Sequence, residues 1–169
     1  MSETHLISEL LAPELQAEFA TTRRILAAVP DGHNDFKPHE KSMTLARLAA
    51  HVAELPSFGA VTLAGPSFDL ATPSTRKRHV FDTSAHNVAE FDALAAEATA
   101  TVNATSDPAF NELWSLVYGD YKIFEGTRYS AFRAMTLNHL IHHRAQLGVY
   151  LRLLGVPVPK TYGPSADEQ

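Results

Sequence analysis

The sequence predicts an all-α fold, a four-helix bundle with a small β-hairpin or irregular insertion between the third and fourth helices. Three observations predict it. Apolar residues recur at helical spacing in four long stretches. Each stretch is bounded by Ser or Thr caps, or by Gly and Pro stops. Between the last two, the period changes to alternation around a glycine.

The first stretch runs over about 4–29, where Leu6, Ile7, Leu10, Leu11, Leu15, Phe19, Ile25 and Leu26 share one stripe. Pro13 either splits it or opens a fresh first turn. Pro30-Asp31-Gly32 ends it. The second runs over about 44–64, with Ser42 or Thr44 as the cap and Gly65-Pro66 as the stop. Pro56 lies inside it and predicts a kink or a local break. A long loop, 66–82, follows and carries the basic triplet Arg76-Lys77-Arg78, read as a solvated turn. The third stretch spans about 84–104 behind Thr83 or Ser84, with Val88, Phe91, Leu94, Ala95, Ala98 and Val102 as its apolar stripe. Leu113, Ser115, Val117, Gly119-Asp120, Tyr121 and Ile123 then read as the hairpin or irregular insertion, within 111–126. The fourth stretch covers about 130–154, capped by Ser130 and closed by Gly155, Pro157 and Pro159. An extended tail, 161–169, completes the chain. The loops after helices two and three are long enough for a crossed topology.

The 169 residues fit one domain, 1–169, that buries a core without staples. A net charge of −5 offers no surface for nucleic acid. No apolar run reaches the roughly 18 residues of a membrane span, and no signal peptide is read, so a cytoplasmic location is expected. The absence of cysteine removes disulfides, thiolate ligands and a Cys nucleophile. Any metal must be held by His, Asp or Glu.

Three of the nine histidines stand apart. At about 100° per residue, His139 and His143 fall about 40° from one another on the fourth helix, within the stripe of Phe132, Thr136, Leu147, Tyr150 and Leu154. His51 falls in the stripe of Leu48, Leu55 and Phe58 on the second. Each inward imidazole needs partners for its ring nitrogens. A lone inward His usually finds them in the core. Three converging on one core fit a metal better, and His139 and His143 at i and i+4 can chelate one ion. Three ligands leave a position open, the pattern of a reactive site. His142 sits at the edge of the stripe, as a supporting or solvent-facing residue. Glu54, three after His51, is either a residue that orients a ligand or a surface carboxylate. The zincin pattern is excluded by Leu140, and Glu-x-x-His pairs are absent.

These residues carry a resemblance. The run His142-His143-Arg144-Ala145-Gln146, the tail Tyr162-Gly163-Pro164-Ser165-Ala166-Asp167-Glu168, and the segment from Leu45 through His51 to Glu54 resemble the DinB-like (DinB/YfiT) superfamily over nearly the whole chain. Members often have Gly where Ala145 stands, and both are small. The resemblance implies a crossed four-helix bundle, a homodimer, and one divalent metal on three histidines matching His51, His139 and His143. Neutral imidazole suits zinc, nickel, copper and iron; zinc and nickel rank first, with iron behind. Some relatives activate a low-molecular-weight thiol for transfer or isomerisation, so a small-molecule substrate with a thiol cosubstrate is the leading expectation. A metal-dependent hydrolase and a non-catalytic, metal-stapled dimeric binding or stress protein are the alternatives. Arg144 and Arg152 are read as surface ion pairs ahead of cosubstrate contacts. Trp114, Tyr118 and Tyr121 serve either as an apolar entrance or as packing. Phe19, Ile25 and Val149 are candidates for a dimer face.

Overall fold

The computed structural model describes residues 6–73 and 78–169; Thr4, His5, Arg76 and Lys77 lie outside them. The first helix, α1 (Ile7–Ala27), runs through Pro13 without a break. Leu11 and Leu15, either side of Pro13, are buried and hold the helix to the core. The second stretch divides at Leu55-Pro56 into α2 (Leu45–Glu54) and α3 (Ser57–Ala64), the break that Pro56 predicts. Thr44 caps α2 by accepting from the Arg47 N–H. The third long helix, α4 (Ser84–Ala104), starts behind Thr83, whose side chain accepts from the His86 N–H.

The long helices enclose one main core. α1 packs on α4 and α7 (His139–Leu153), α2 on the same two, and α3 on α4. Phe19 of α1 meets Phe91 of α4 edge to face at 5.6 Å. Phe19 and Ile25 both lie in this core, so neither belongs to a dimer face; Val149 is exposed.

The insertion is larger than a hairpin. A short helix, α5 (Asp107–Phe110), precedes it, and its Asp107 carboxylate accepts from the Ile7 N–H at 2.9 Å, fixing the start of α1. Then β2 (Leu113–Tyr118) and β3 (Tyr121–Thr127) pair antiparallel, with Tyr118 opposite Tyr121. Gly119 takes φ +56° at the first turn position, the left-handed geometry a two-residue hairpin needs there. A third strand, β1 (Ser67–Asp69), lies parallel to β2, giving the order β1-β2-β3. Trp114, Leu116 and Ala131 form a second, smaller core beneath this sheet.

The last helical stretch begins earlier than its sequence suggests. α6 (Arg128–Phe132) is capped by Thr127, which accepts from Ser130. A π-helical segment, Arg133–Asn138, then leads into α7. α7 ends in paired bonds, Gly155 N–H to Arg152 O and Val156 N–H to Leu151 O, with Gly155 at φ +71°. The tail is not free. Its Asp167 pairs with Arg152 at 2.5 Å, and its Glu168 with Arg24. Among the described residues, no helix is long and apolar enough to cross a membrane.

Candidate metal centre

His51 sits in the last turn of α2, on the side facing α7. Its neighbours Ala49, Ala50, Val52 and Ala53 are all buried, and their small side chains let α2 lie close against α4 and α7. His139 is the first residue of α7, directly after the π-helical segment, and His143 stands one turn on. A π-helical turn widens the backbone and often marks a functional position. Here it places His139 where the helix regains its ordinary pitch.

The three imidazoles converge. The Nε2 atoms of His51 and His139 are 3.3 Å apart, and those of His139 and His143 are 2.9 Å apart. One ring nitrogen from each of the three lies within 4.8 Å of the others. All three side chains are half-buried, at the edge of the core rather than deep within it. The shape fits a cation. Nitrogens on a tetrahedral zinc with Zn–N of about 2.0–2.1 Å lie about 3.3 Å apart, which matches the His51–His139 separation, the His139–His143 pair being tighter.

The opposite ring atoms support that orientation. His143 Nδ1 meets Gln146 Oε1 at 2.7 Å, which makes Nδ1 the protonated nitrogen and leaves the Nε2 lone pair for the centre. His51 Nδ1 is buried without a hydrogen-bond partner, and Glu54 Oε1 stands 3.6 Å from it. Burial pushes the His139 pKa down to about 4, and the neighbouring charges of His143 and His51 add to this; a backbone hydrogen bond to Met135 opposes it. Burial likewise lowers His143, partly opposed by Gln146. Two of the imidazoles are thus held neutral at pH 7, the form that ligates metal. For Glu54, burial favours the neutral acid. The nearby His51 ring, the Arg47 hydrogen bond and charge, and the His79 N–H outweigh it and hold the carboxylate ionised.

The other candidates separate. His142 is exposed, with Nε2 3.2 Å from the Gln146 amide nitrogen. Arg152 makes a surface ion pair, as expected. Arg144 does not. It is buried, and it donates to Glu18 at 2.6 Å and to the Tyr162 hydroxyl at 2.9 Å. Trp114 is fully buried in the smaller core and lines no entrance, while Tyr118 and Tyr121 are exposed beside the hairpin turn. A cleft of about 380 Å³ opens beside His143, lined also by Lys41, Ser42, Met43, Gln146 and Val149; His51 and His139 do not line it. Gln146 stands in the His-Arg-x-Gln motif, and its i+3 spacing from His143 was the available signal for its role. The loop residues of the cleft carry no periodic signal.

Comparison with known proteins agrees with this architecture. A DinB-like protein from Bacillus cereus ATCC 10987 superposes with a TM-score of 0.71 at 17% identity, over 93% of this chain and 98% of that one. A second DinB-like protein, from Bacillus subtilis, gives a TM-score of 0.62 at 16% identity, over 95% and 99%. At these identities the likeness concerns the fold. No curated protein matches the sequence. The DinB family model matches residues 1–169, and the chain therefore belongs to the DinB family.

Proposed function

We propose that this chain is a metal-dependent enzyme whose divalent ion, zinc or nickel before iron, is held by His51, His139 and His143. In this reading a thiol cosubstrate is activated for S-transfer or isomerisation of a small molecule. The observation that supports it is the meeting of three imidazole nitrogens at the core edge, beside an open cleft. A bound divalent ion would lower the pKa of a thiol or water toward neutrality. The chain's own residues do the rest. His139 and His143 stay neutral and present lone pairs, Gln146 fixes the His143 ring, and Lys41, Ser42 and Met43 shape the seat for a cosubstrate. The protein has no cysteine, so the thiol arrives from outside.

The same reading takes the helices as one crossed four-helix bundle and one domain, working in the cytoplasm as a homodimer. Hydrolysis on the same ligands is the weaker version, because Glu54 is engaged by Arg47 and His79 rather than free as a base. The non-catalytic staple draws support from one fact: the centre joins α2 to α7, two segments far apart in sequence.

Elemental analysis tests the centre. The expected result is about one transition metal per chain, and none in His51→Ala/His143→Ala. A cobalt-substituted protein whose d–d spectrum stays unchanged under millimolar cellular thiols would remove the thiol chemistry and leave the hydrolase or the staple.

A further inference from the structure

Glu54 stands behind His51, on the far side of the ring from the converging Nε2 atoms. Its Oε1 lies 3.0 Å from Arg47 Nη1 and 3.6 Å from His51 Nδ1, and its Oε2 accepts from the His79 N–H at 3.4 Å. The carboxylate is half-buried. Its anchors are themselves fixed. Arg47 sits in the first turn of α2, its N–H held by the Thr44 cap. The His79 ring bonds Asn87 Oδ1 at 2.8 Å, and Asn87, fully buried on α4, donates to the Ala49 carbonyl of α2. Glu54 is thus held from α2 on one side and by a segment tied to α4 on the other. His51 Nδ1 beside it is buried and without a hydrogen-bond partner. A shift of well under 1 Å brings it within hydrogen-bond range of Oε1.

We infer that Glu54 is a positioning residue for the metal centre, accepting the Nδ1 proton of His51 so that Nε2 faces the ion. This deepens the metal-centre reading and rests on it. A carboxylate in this position fixes both the tautomer and the ring orientation of a ligating histidine. The same geometry argues against Glu54 as a general base, since Arg47 and His79 already occupy its oxygens. It also makes His79 part of the site's support, through its backbone N–H.

The test uses the full chain, zinc alone as probe, and the variants Glu54→Gln and Glu54→Leu. Nitrogen-15 NMR of the metal-free wild type should show His51 protonated on Nδ1, and of the zinc-loaded protein, zinc on Nε2. Glu54→Leu should mix the two tautomers and weaken zinc binding by about 10- to 100-fold. Glu54→Gln, whose amide oxygen still accepts, should recover most of that loss; a purely packing role predicts no such split between the two. If Glu54→Leu does not fold, the wild-type tautomer and the Gln variant decide the matter. Zinc affinity unchanged within twofold in Glu54→Leu, or His51 bound through Nδ1, overturns the inference. A wild type with the Nδ1–H tautomer that takes up no zinc or cobalt would instead overturn the metal-centre reading, and the positioning role with it.

Discussion

At the scale of single residues, the centre is defined by which groups are kept neutral and which are kept charged. His139 is neutral because protonation would place a cation in a half-buried site beside two other imidazoles. Its folded pKa of about 4 lies below the ordinary value of 6.5, so between those two values the unfolded chain binds more protons. Stability of the metal-free protein therefore falls as pH drops from 6.5 toward 4, and is flat for this group above 6.5. Urea titrations of the wild type and His139→Gln, in chelator, should show a shallower fall in the variant across that window; identical slopes would contradict the assignment. Arg144, the neighbour of His143, follows the opposite logic. It is buried and stays charged through Glu18, Thr22 and Tyr162. Removing one partner of a buried pair leaves the other uncompensated, at a cost of about 3–5 kcal/mol. Glu18→Ala should lose stability on that order in denaturant melts, whereas Arg24→Ala, which loses a surface pair, should lose about 1 kcal/mol or less.

At the scale of elements, close approach decides how the pieces fit. Gly59 on α3 lies where a Cβ would stand 3.0 Å from Phe132 of α6 and 3.1 Å from Ala98 of α4. The helix gives up propensity at that position to let three elements meet. Gly59→Val should destabilise by about 1–3 kcal/mol through overpacking, read as a lower calorimetric melting temperature; a neutral result would mean that Phe132 moves aside freely. The same elements show what the sequence made legible. The long helical stretches, the Pro56 break, the Thr44 and Thr83 caps, the hairpin turn at Gly119 and the Gly155 stop all rest on local signals and are found, whereas Ser130 is not the cap of the last stretch, which starts at Arg128 behind Thr127. The three histidines were readable for the same reason: each is a polar residue interrupting an apolar stripe of known period. What was not readable is non-local or aperiodic. β1 is three residues long and exists only because β2 pairs with it. The π-helical segment leaves no mark in Arg133–Asn138 that distinguishes it from α-helix. Burial of Arg144 depends on Glu18, more than a hundred residues away, and on a tail that folds back when extension was expected.

At the scale of the whole molecule, the question is whether a metal on the three histidines would make the fold or use it. The main core runs through α1, α2, α4 and α7, and it is continuous without the histidines, which sit at its edge. Structural zinc sites in small domains commonly supply the folding energy outright; a chain with this much buried apolar surface has no such need. The metal-free protein should therefore stay folded, and zinc should add to an existing stability by mass action. A ligand at a thousand times its Kd adds about 4 kcal/mol. For a chain of this size each kcal/mol raises Tm by roughly 2–4 °C. Saturating zinc should thus raise Tm by about 10 °C, and His51→Ala should abolish the rise while its metal-free Tm stays within a few degrees of wild type. A metal-free wild type that is already unfolded would make the ion a staple between α2 and α7. A folded wild type with no zinc-dependent shift would return the imidazoles to the role of core-edge side chains, and the cleft beside His143 would lose its reason to be a reactive site.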